Sequence, residues 1–143
     1  MKRRLFGTLW SLLPPLLAST ATADTLTVNI ARVPSDDGKI MVAVLGSEQQ
    51  FTDDSAPPVA ATILAAKSGT VTYVVHDLTP GEYGVRVMHD QNENQKMDSN
   101  FVGMPKEPWG FSNNALGSFG PPSWQDVKFS VSGDTDITIN LNH

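Results

Sequence analysis

The sequence has 143 residues, with ten basic and fifteen acidic side chains, a formal charge of −5 and no cysteine. An acidic chain repels phosphate backbones, so we expect no nucleic-acid partner. The lack of cysteine excludes disulfides, thiol catalysis and zinc–thiolate sites, and an ordinary apolar core must therefore stabilise the protein.

The amino terminus has the features of a cleavable secretory signal peptide. Three basic residues precede the apolar stretch Leu5–Ala18, and the small residues Ala21 and Ala23 precede the expected cut. The alternative is an uncleaved anchor, but the stretch is shorter than the about 20 residues that span a bilayer, and it contains two prolines. We therefore expect a signal peptide at 1–23 and one domain at 24–143. That domain is expected in the periplasm or medium of an organism that we take to be Gram-negative, without stable membrane insertion.

Alternating apolar and polar residues predict strands in the first half of the domain. The first strand covers Leu26–Ile30, and the second covers Lys39–Leu45, which is apolar on both faces and is expected to be central and covered on both sides. Ser47 is a suitable cap for one helical turn over Glu48–Phe51. Val59–Ala66 is predicted as a strand, with a short helix as the alternative because it is rich in alanine.

Two antiparallel hairpins are predicted farther along the chain. The first joins Val71–Val75 to Tyr83–Val87 through Pro80-Gly81, a pair that suits the centre of a type II turn. The second joins Val127–Val131 to Ile137–Leu141. With no long helix, the pattern predicts an all-β fold, a single antiparallel β-sandwich of about seven strands with one long ordered loop.

The segment Asp90–Asp126 shows neither strand nor helix periodicity. Structureless loops of this length are uncommon in compact domains and are usually functional or disordered. Its several aromatic residues argue against disorder, because disordered segments contain few of them. We therefore expect this loop to be packed and to carry any ligand site.

The first candidate site in this segment is a loop with oxygen atoms at alternate positions. Calcium takes roughly six to eight oxygen ligands, and a tight loop can direct alternate residues inward. The candidate metal ligands are Asp90, Asn92, Asn94, the carbonyl of Lys96, and Asp98. Gln95 stands where such loops normally have glycine, and Phe101 stands where they have a bidentate glutamate. The alternative is an Asp/Asn-rich turn whose side chains bond their own backbone.

The second candidate site is an aromatic surface that follows this loop. Trp109 and Phe111 flank Gly110, so both rings should lie on one side of the chain. The alternative is that these rings close one end of the fold as a small core. The candidate ligand surface, for a small molecule, glycan or protein, consists of Lys106, Trp109, Phe111, Asn113 and Asn114.

Motifs for catalysis are sparse. The sequence contains no Gly-x-Ser-x-Gly elbow, HExxH helix or phosphate-binding loop. His89 beside Asp90 is the remaining candidate for acid–base chemistry. The predicted hairpin register places His76 opposite Val85, so the two histidines are not expected to face each other.

These residues resemble those of a family of exported bacterial proteins described as domain of unknown function 2141 (DUF2141). The resemblance extends over essentially the whole domain and is strongest in the blocks His89–Asp98, Asn100–Phe101, Gly103–Glu107 and Gly110–Asn114. The turn Leu78–Tyr83 resembles that of transthyretin-like sandwiches, which implies the same fold. Family members commonly have glycine where this chain has Glu93 and Gln95, and the family implies no established activity.

The sequence thus predicts an exported, non-enzymatic binding or accessory module. In this interpretation a weak calcium loop orders the adjacent aromatic surface. One alternative is a hydrolase or isomerase that uses His89 and Asp90. The other is a structural envelope protein whose aromatic side chains are all internal.

Overall fold

The structure is a computed structural model that describes residues 14–15 and 23–143. The predicted signal peptide lies outside the described residues apart from Pro14, Pro15 and Ala23, so its cleavage stays a prediction. Among the described residues, neither α-helix has the length and apolar character that crossing a bilayer requires.

The described residues form eight strands and two short helices, and this confirms the predicted all-β class. The strands are β1 (Asp24–Val33), β2 (Lys39–Leu45), β3 (Ala60–Ala65), β4 (Gly69–Leu78), β5 (Gly81–Asp90), β6 (Trp109–Phe111), β7 (Phe129–Val131) and β8 (Thr135–Asn140). The helices are α1 (Glu48–Thr52) and α2 (Trp124–Val127), and a 3₁₀ turn covers Ser112–Asn114. The side chain of Ser47 accepts a hydrogen bond from the Gln50 amide, which confirms the predicted cap of α1.

The strands form two sheets, with the orders β4-β1-β8 and β3-β2-β5-β6, and β7 also pairs with β5. β1 and β8 run parallel, from Leu26 opposite Thr135 to Ala31 opposite Asn140. The prediction of about seven antiparallel strands is therefore corrected to eight strands with one parallel pair. The additional strand is β6, whose three residues are too few to show a period in the sequence.

The two predicted hairpins are wrong in their pairing. β4 pairs with β1, whereas β5 pairs with β2, so the chain crosses from one sheet to the other at Pro80-Gly81. The second turn also crosses, because β7 pairs with β5 and β8 with β1. Gly81 does not adopt the positive φ of a type II turn. Instead, the Tyr83 hydroxyl donates a 2.5 Å hydrogen bond to the Thr79 carbonyl, and this bond stabilises the turn between β4 and β5.

The core is one cluster of buried side chains that comes from both sheets. Alternate residues of β1, β2 and β5 point into it, among them Leu26, Ile30, Ile40, Val44 and Val85. Full burial of such a side chain stabilises the fold by about 1.5–3 kcal/mol relative to exposure. The period-two pattern thus identified the strands and their inner faces.

One edge of β5 is shared by two short strands with a gap between them. β6 pairs with Arg86–Met88, and β7 pairs with Gly81–Tyr83. In the gap, the buried Ser112 hydroxyl accepts a 2.9 Å hydrogen bond from the Val85 amide and donates a 2.5 Å bond to the Val127 carbonyl. A side chain therefore satisfies the backbone donor that a continuous strand would otherwise bond.

A second, smaller cluster lies outside the main core and contains Leu45, Trp124 and Val127. The rings of Phe51 and Trp124 are 6.1 Å apart between centroids. Trp124 packs on Gly84, where an added Cβ would lie 2.7 Å from the ring. Trp124 of the long segment is therefore internal, whereas Phe101 and Phe119 are fully exposed, so the predictions that the whole segment is packed and that all its aromatic side chains are internal are wrong at these two residues.

Candidate functional site

The outer face of the five-stranded sheet carries a row of apolar side chains that crosses β3, β2, β5 and β6. Ile63 of β3 is opposite Met41 of β2, Met41 is opposite Met88 of β5, and Met88 is opposite Trp109 of β6. Directly opposed residues point to the same face of a sheet, and their Cβ atoms lie about 4.5–5.5 Å apart. These four side chains therefore form a continuous apolar row.

This row is in contact with solvent. Ile63 is 54% exposed, and Met41, Met88 and Trp109 are partly exposed. The two residues that flank Met41 in β2, Ile40 and Val42, point to the opposite face, into the core. The prediction that β2 is covered on both sides is therefore wrong. Its second apolar face is a surface, which the sequence pattern alone does not distinguish from a buried one.

A second row lies beside the first and ends in a cleft. It runs from Ala61 through Ala43 and Arg86 to Phe111. An open cavity of about 390 Å³ lies here between Phe51, Arg86, Phe111 and the Pro121-Pro122 segment. The Arg86 guanidinium contacts the exposed Asp54 carboxylate at 3.0 Å. A surface ion pair of this kind contributes about 0–1 kcal/mol, so a ligand carboxylate or sulfonate can replace Asp54 at small cost.

We name the two rows together the recognition face, and its principal residues are Met41, Ile63, Arg86, Met88, Trp109 and Phe111. The rings of Trp109 and Phe111 lie on the same side of β6, with centroids 5.8 Å apart and planes at 61°. The edge of one ring therefore meets the other, and the two rings do not form a flat platform.

The other predicted ligand-surface residues lie elsewhere or serve the fold. The Asn113 amide donates to the carbonyls of Asp126 and Lys128, and the Asn114 side chain accepts from the Asn140 amide. Both asparagines have positive φ, which suits their place in a tight turn. Lys106 lines a separate open cavity on the connection between β5 and β6.

The predicted calcium loop is held by hydrogen bonds between its own groups. The buried Asp90 carboxylate accepts from the backbone amides of Asn94 and Gln95, at 3.2 and 2.7 Å. The side-chain amides of Asn92 and Asn94 donate to the Asp98 carboxylate at 2.6 and 2.9 Å. These are the contacts of the alternative, an Asp/Asn-rich turn. The described residues contain no group of three or more His, Cys, Asp or Glu placed to hold a metal, and calcium binding stays a prediction.

Glu93 and Gln95 of this loop have left-handed backbone, with φ of 56° and 62°. These are the two positions at which the family resemblance leads us to expect glycine. A side chain in this conformation costs roughly 1–2 kcal/mol relative to ordinary backbone. The hydrogen bonds of Asp90 and Asp98 hold the loop in place despite this cost.

Glu107 closes the loop, and the sequence reasoning missed it. Its carboxylate is buried and accepts hydrogen bonds from the amides of Gln91 and Asp98, at 2.7 and 3.1 Å. Burial raises the pKa of Glu107 above its ordinary value, whereas the hydrogen bonds from Asn94 and Asn92 lower the pKa of Asp98. Because its partners are far from it in sequence, Glu107 has no local signature.

His89, the histidine of the catalytic alternative, and His76 lie in different sheets. His89 is fully buried, and its Nε2 atom donates to the Asp37 carbonyl at 2.6 Å. His76 is exposed on β4, which pairs with β1 and not with β5, so the predicted register that set His76 opposite Val85 is wrong. A ring enclosed in this way is not accessible to a substrate, and the geometry gives the hydrolase or isomerase alternative no support.

Comparison with known proteins gives one match. The sequence profile of a family described as "Uncharacterized protein conserved in bacteria (DUF2141)" matches residues 28–140. No curated protein sequence and no solved structure matches the chain.

Proposed function

The chain belongs to the DUF2141 family, and we propose that it is an exported, non-enzymatic binding module that captures its ligand on the recognition face. The observation that carries the proposal is the cross-strand row of Ile63, Met41, Met88 and Trp109 in contact with solvent. Extended apolar patches on a soluble protein mark interaction sites more often than scattered apolar side chains do.

The residue types suit binding rather than chemistry. Two methionines provide flexible, polarisable contact area that adapts to different ligand shapes. Trp109 provides a large ring of the kind that dominates binding energy at interfaces. The face presents thioethers, rings and a guanidinium, which act neither as general bases nor as acyl nucleophiles.

The arrangement favours a ligand with an aromatic or aliphatic body and an acidic group. The body would lie along the apolar row, and the acidic group would reach Arg86 beside the cleft. A glycan is less well suited, because the rings of Trp109 and Phe111 are inclined at 61° and offer no flat stacking surface. A small molecule or an extended apolar peptide fits this description.

The location and finer architecture belong to the same proposal. The signal-like residues 1–23 support export to the periplasm or the medium. The two sheets with a shared core support a transthyretin-like sandwich as the scaffold. Mass spectrometry of the protein recovered from an exporting bacterium is expected to show Asp24 as the first residue, and a retained amino terminus would contradict export by cleavage.

The proposed site can be tested with 8-anilinonaphthalene-1-sulfonate, which combines an aromatic body with a sulfonate. We expect Trp109→Ala or Met88→Ser to weaken binding of the dye roughly tenfold or more. This corresponds to a loss of about 1.4 kcal/mol or more in binding free energy, which is typical when a side chain at the centre of an interface is truncated. Val74→Ser is the matched control, because Val74 is 41% exposed on the other sheet. Unchanged affinity in both recognition-face variants, with urea unfolding confirming that they are folded, would reject this site.

A second measurement tests the role of Arg86. Arg86→Gln should weaken binding of the sulfonated dye but not of Nile red, which is neutral and apolar. Equal loss for both dyes would mean that Arg86 only supports the surface and does not bind an acidic group.

A further inference from the structure

The strand at one end of the five-stranded sheet lacks the features that usually prevent an edge strand from pairing with another chain. β3 pairs with β2 on one side and is the terminal strand of its sheet. Its sequence is Ala-Ala-Thr-Ile-Leu-Ala, and its pairing with β2 continues without a register shift. Edge strands usually carry charges, proline or bulges that prevent pairing with another chain, and β3 itself has none of these.

The edge strand β4 of the other sheet differs in each respect. Its pairing with β1 is interrupted by two register shifts, and Asp77 within it has a φ of 62°. Its exposed face is mainly polar and includes Thr70, Thr72 and His76. The edge of β4 is thus irregular and polar, which hinders pairing with another chain, whereas the edge of β3 is regular and apolar.

We propose that two copies of this protein pair through β3, antiparallel and around a two-fold axis at Ile63. In this register Ile63 lies opposite Ile63 of the second copy, and Ala61 lies opposite its Ala65. The apolar row of each recognition face would then continue into the other, with four side chains from each copy. The dimer would present a doubled face to a longer or bivalent ligand.

The charge distribution favours a second copy as the occupant. Without its signal peptide the chain has seven basic and fifteen acidic residues, a formal charge of −8, so most approaches of two copies are repulsive. β3 is uncharged, with Asp53 and Asp54 shortly before it and the exposed Lys67 shortly after it. In the proposed register Lys67 of each copy lies opposite Val59 of the other, so the contact between these two acidic chains places no like charges opposite each other.

A single introduced cysteine tests the register, since the natural chain has no cysteine. Opposed residues of an antiparallel pair have Cα atoms about 4.5–5.5 Å apart, within the range of a disulfide. We expect the processed protein with Ile63→Cys to form a covalent dimer under mild oxidation. Val74→Cys places the cysteine at an exposed apolar position on the irregular edge strand β4, and this variant should remain largely uncrosslinked. Equal crosslinking of the two variants would overturn the proposed pairing.

Sedimentation velocity tests the assembly without oxidation. The unmodified protein is expected to sediment as a dimer that dissociates on dilution, Ile63→Lys as a monomer, and Val74→Lys as a dimer. A monomer at every concentration of the unmodified protein, or a dimer that persists in Ile63→Lys, contradicts the proposal. The dye experiment is independent, because Trp109→Ala should lose dye binding and still sediment as a dimer.

Discussion

Two long connections of this protein are ordered in different ways. Residues 91–108, the polar connection between β5 and β6, are held by hydrogen bonds to the carboxylates of Asp90, Asp98 and Glu107. Residues 112–128, the apolar connection between β6 and β7, are held by the buried side chains of Trp124 and Val127 and by the Ser112 hydroxyl. Both connections fix a strand that pairs with β5.

The difference lies in what each connection responds to. Hydrogen bonds to carboxylates depend on protonation and on cations, so the polar connection should respond to pH and to calcium. Burial of rings depends on area removed from water and is insensitive to both. One strand of the recognition face, β6, begins at the polar connection and ends at the apolar one.

The largest expected effect comes from removing the ring at the centre of the apolar connection. Trp124→Ala should lower the free energy of unfolding by about 3–5 kcal/mol, because the buried ring fills the space between Gly84 and Phe51. Urea unfolding monitored by circular dichroism measures the loss. Leu116→Ala, at an exposed position of the same connection, is the control and should change little. Similar losses in both variants would show that Trp124 is not the centre of this cluster.

A smaller effect is expected from the pH response of the polar connection. The pKa of Glu107 is raised above its ordinary 4.5 in the folded protein, so the folded state binds more protons than the unfolded state in the window above 4.5. Its contribution to stability is therefore complete below pH 4.5 and is lost as the pH rises through the folded pKa. Asp98 has the opposite sign, because its pKa is lowered: its contribution is present above pH 3.8 and is lost as the pH falls through the folded pKa.

Glu107→Gln separates the two contributions. The difference in unfolding free energy between the wild type and this variant should fall as the pH rises from 4.5 to 7, as measured by urea unfolding across that range. The same comparison with Glu82→Gln, an exposed acid paired with Lys128, accounts for the general titration of the chain. A difference that rises with pH would mean that the pKa of Glu107 is lowered.

The smallest expected effect is that of calcium. With a dissociation constant on the order of 10⁻⁴–10⁻³ M, a tenfold excess of calcium stabilises the fold by about 1.4 kcal/mol. Thermal melting should show a shift with calcium but not with magnesium, and Asp98→Asn should abolish it. Glu93→Gln, an exposed acid of the same loop, should retain it. No shift at ten millimolar calcium would leave the loop as a hydrogen-bonded turn alone.

The sequence predicted strand positions and inner faces well because the apolar period of two is a local property. It did not predict which strands pair, since a tight turn such as Pro80-Gly81 connects strands of one sheet or of two with similar residues. Trp109 was identified from its neighbour Phe111, whereas Met41 was assigned to a covered strand and Met88 lies one residue beyond the predicted strand Tyr83–Val87. They are brought together only by register across β2, β5 and β6.

Short connections at 66–68, 79–80 and 132–134 each lead from one sheet to the other, and β1 has β8 as its parallel neighbour. Native contacts of this kind join residues far apart in sequence, and chains dominated by them fold slowly. The three-stranded sheet cannot be completed until β8 has emerged from the ribosome. For the export that we propose, such a delay would keep the chain extended enough to be threaded through a translocation channel before its topology closes.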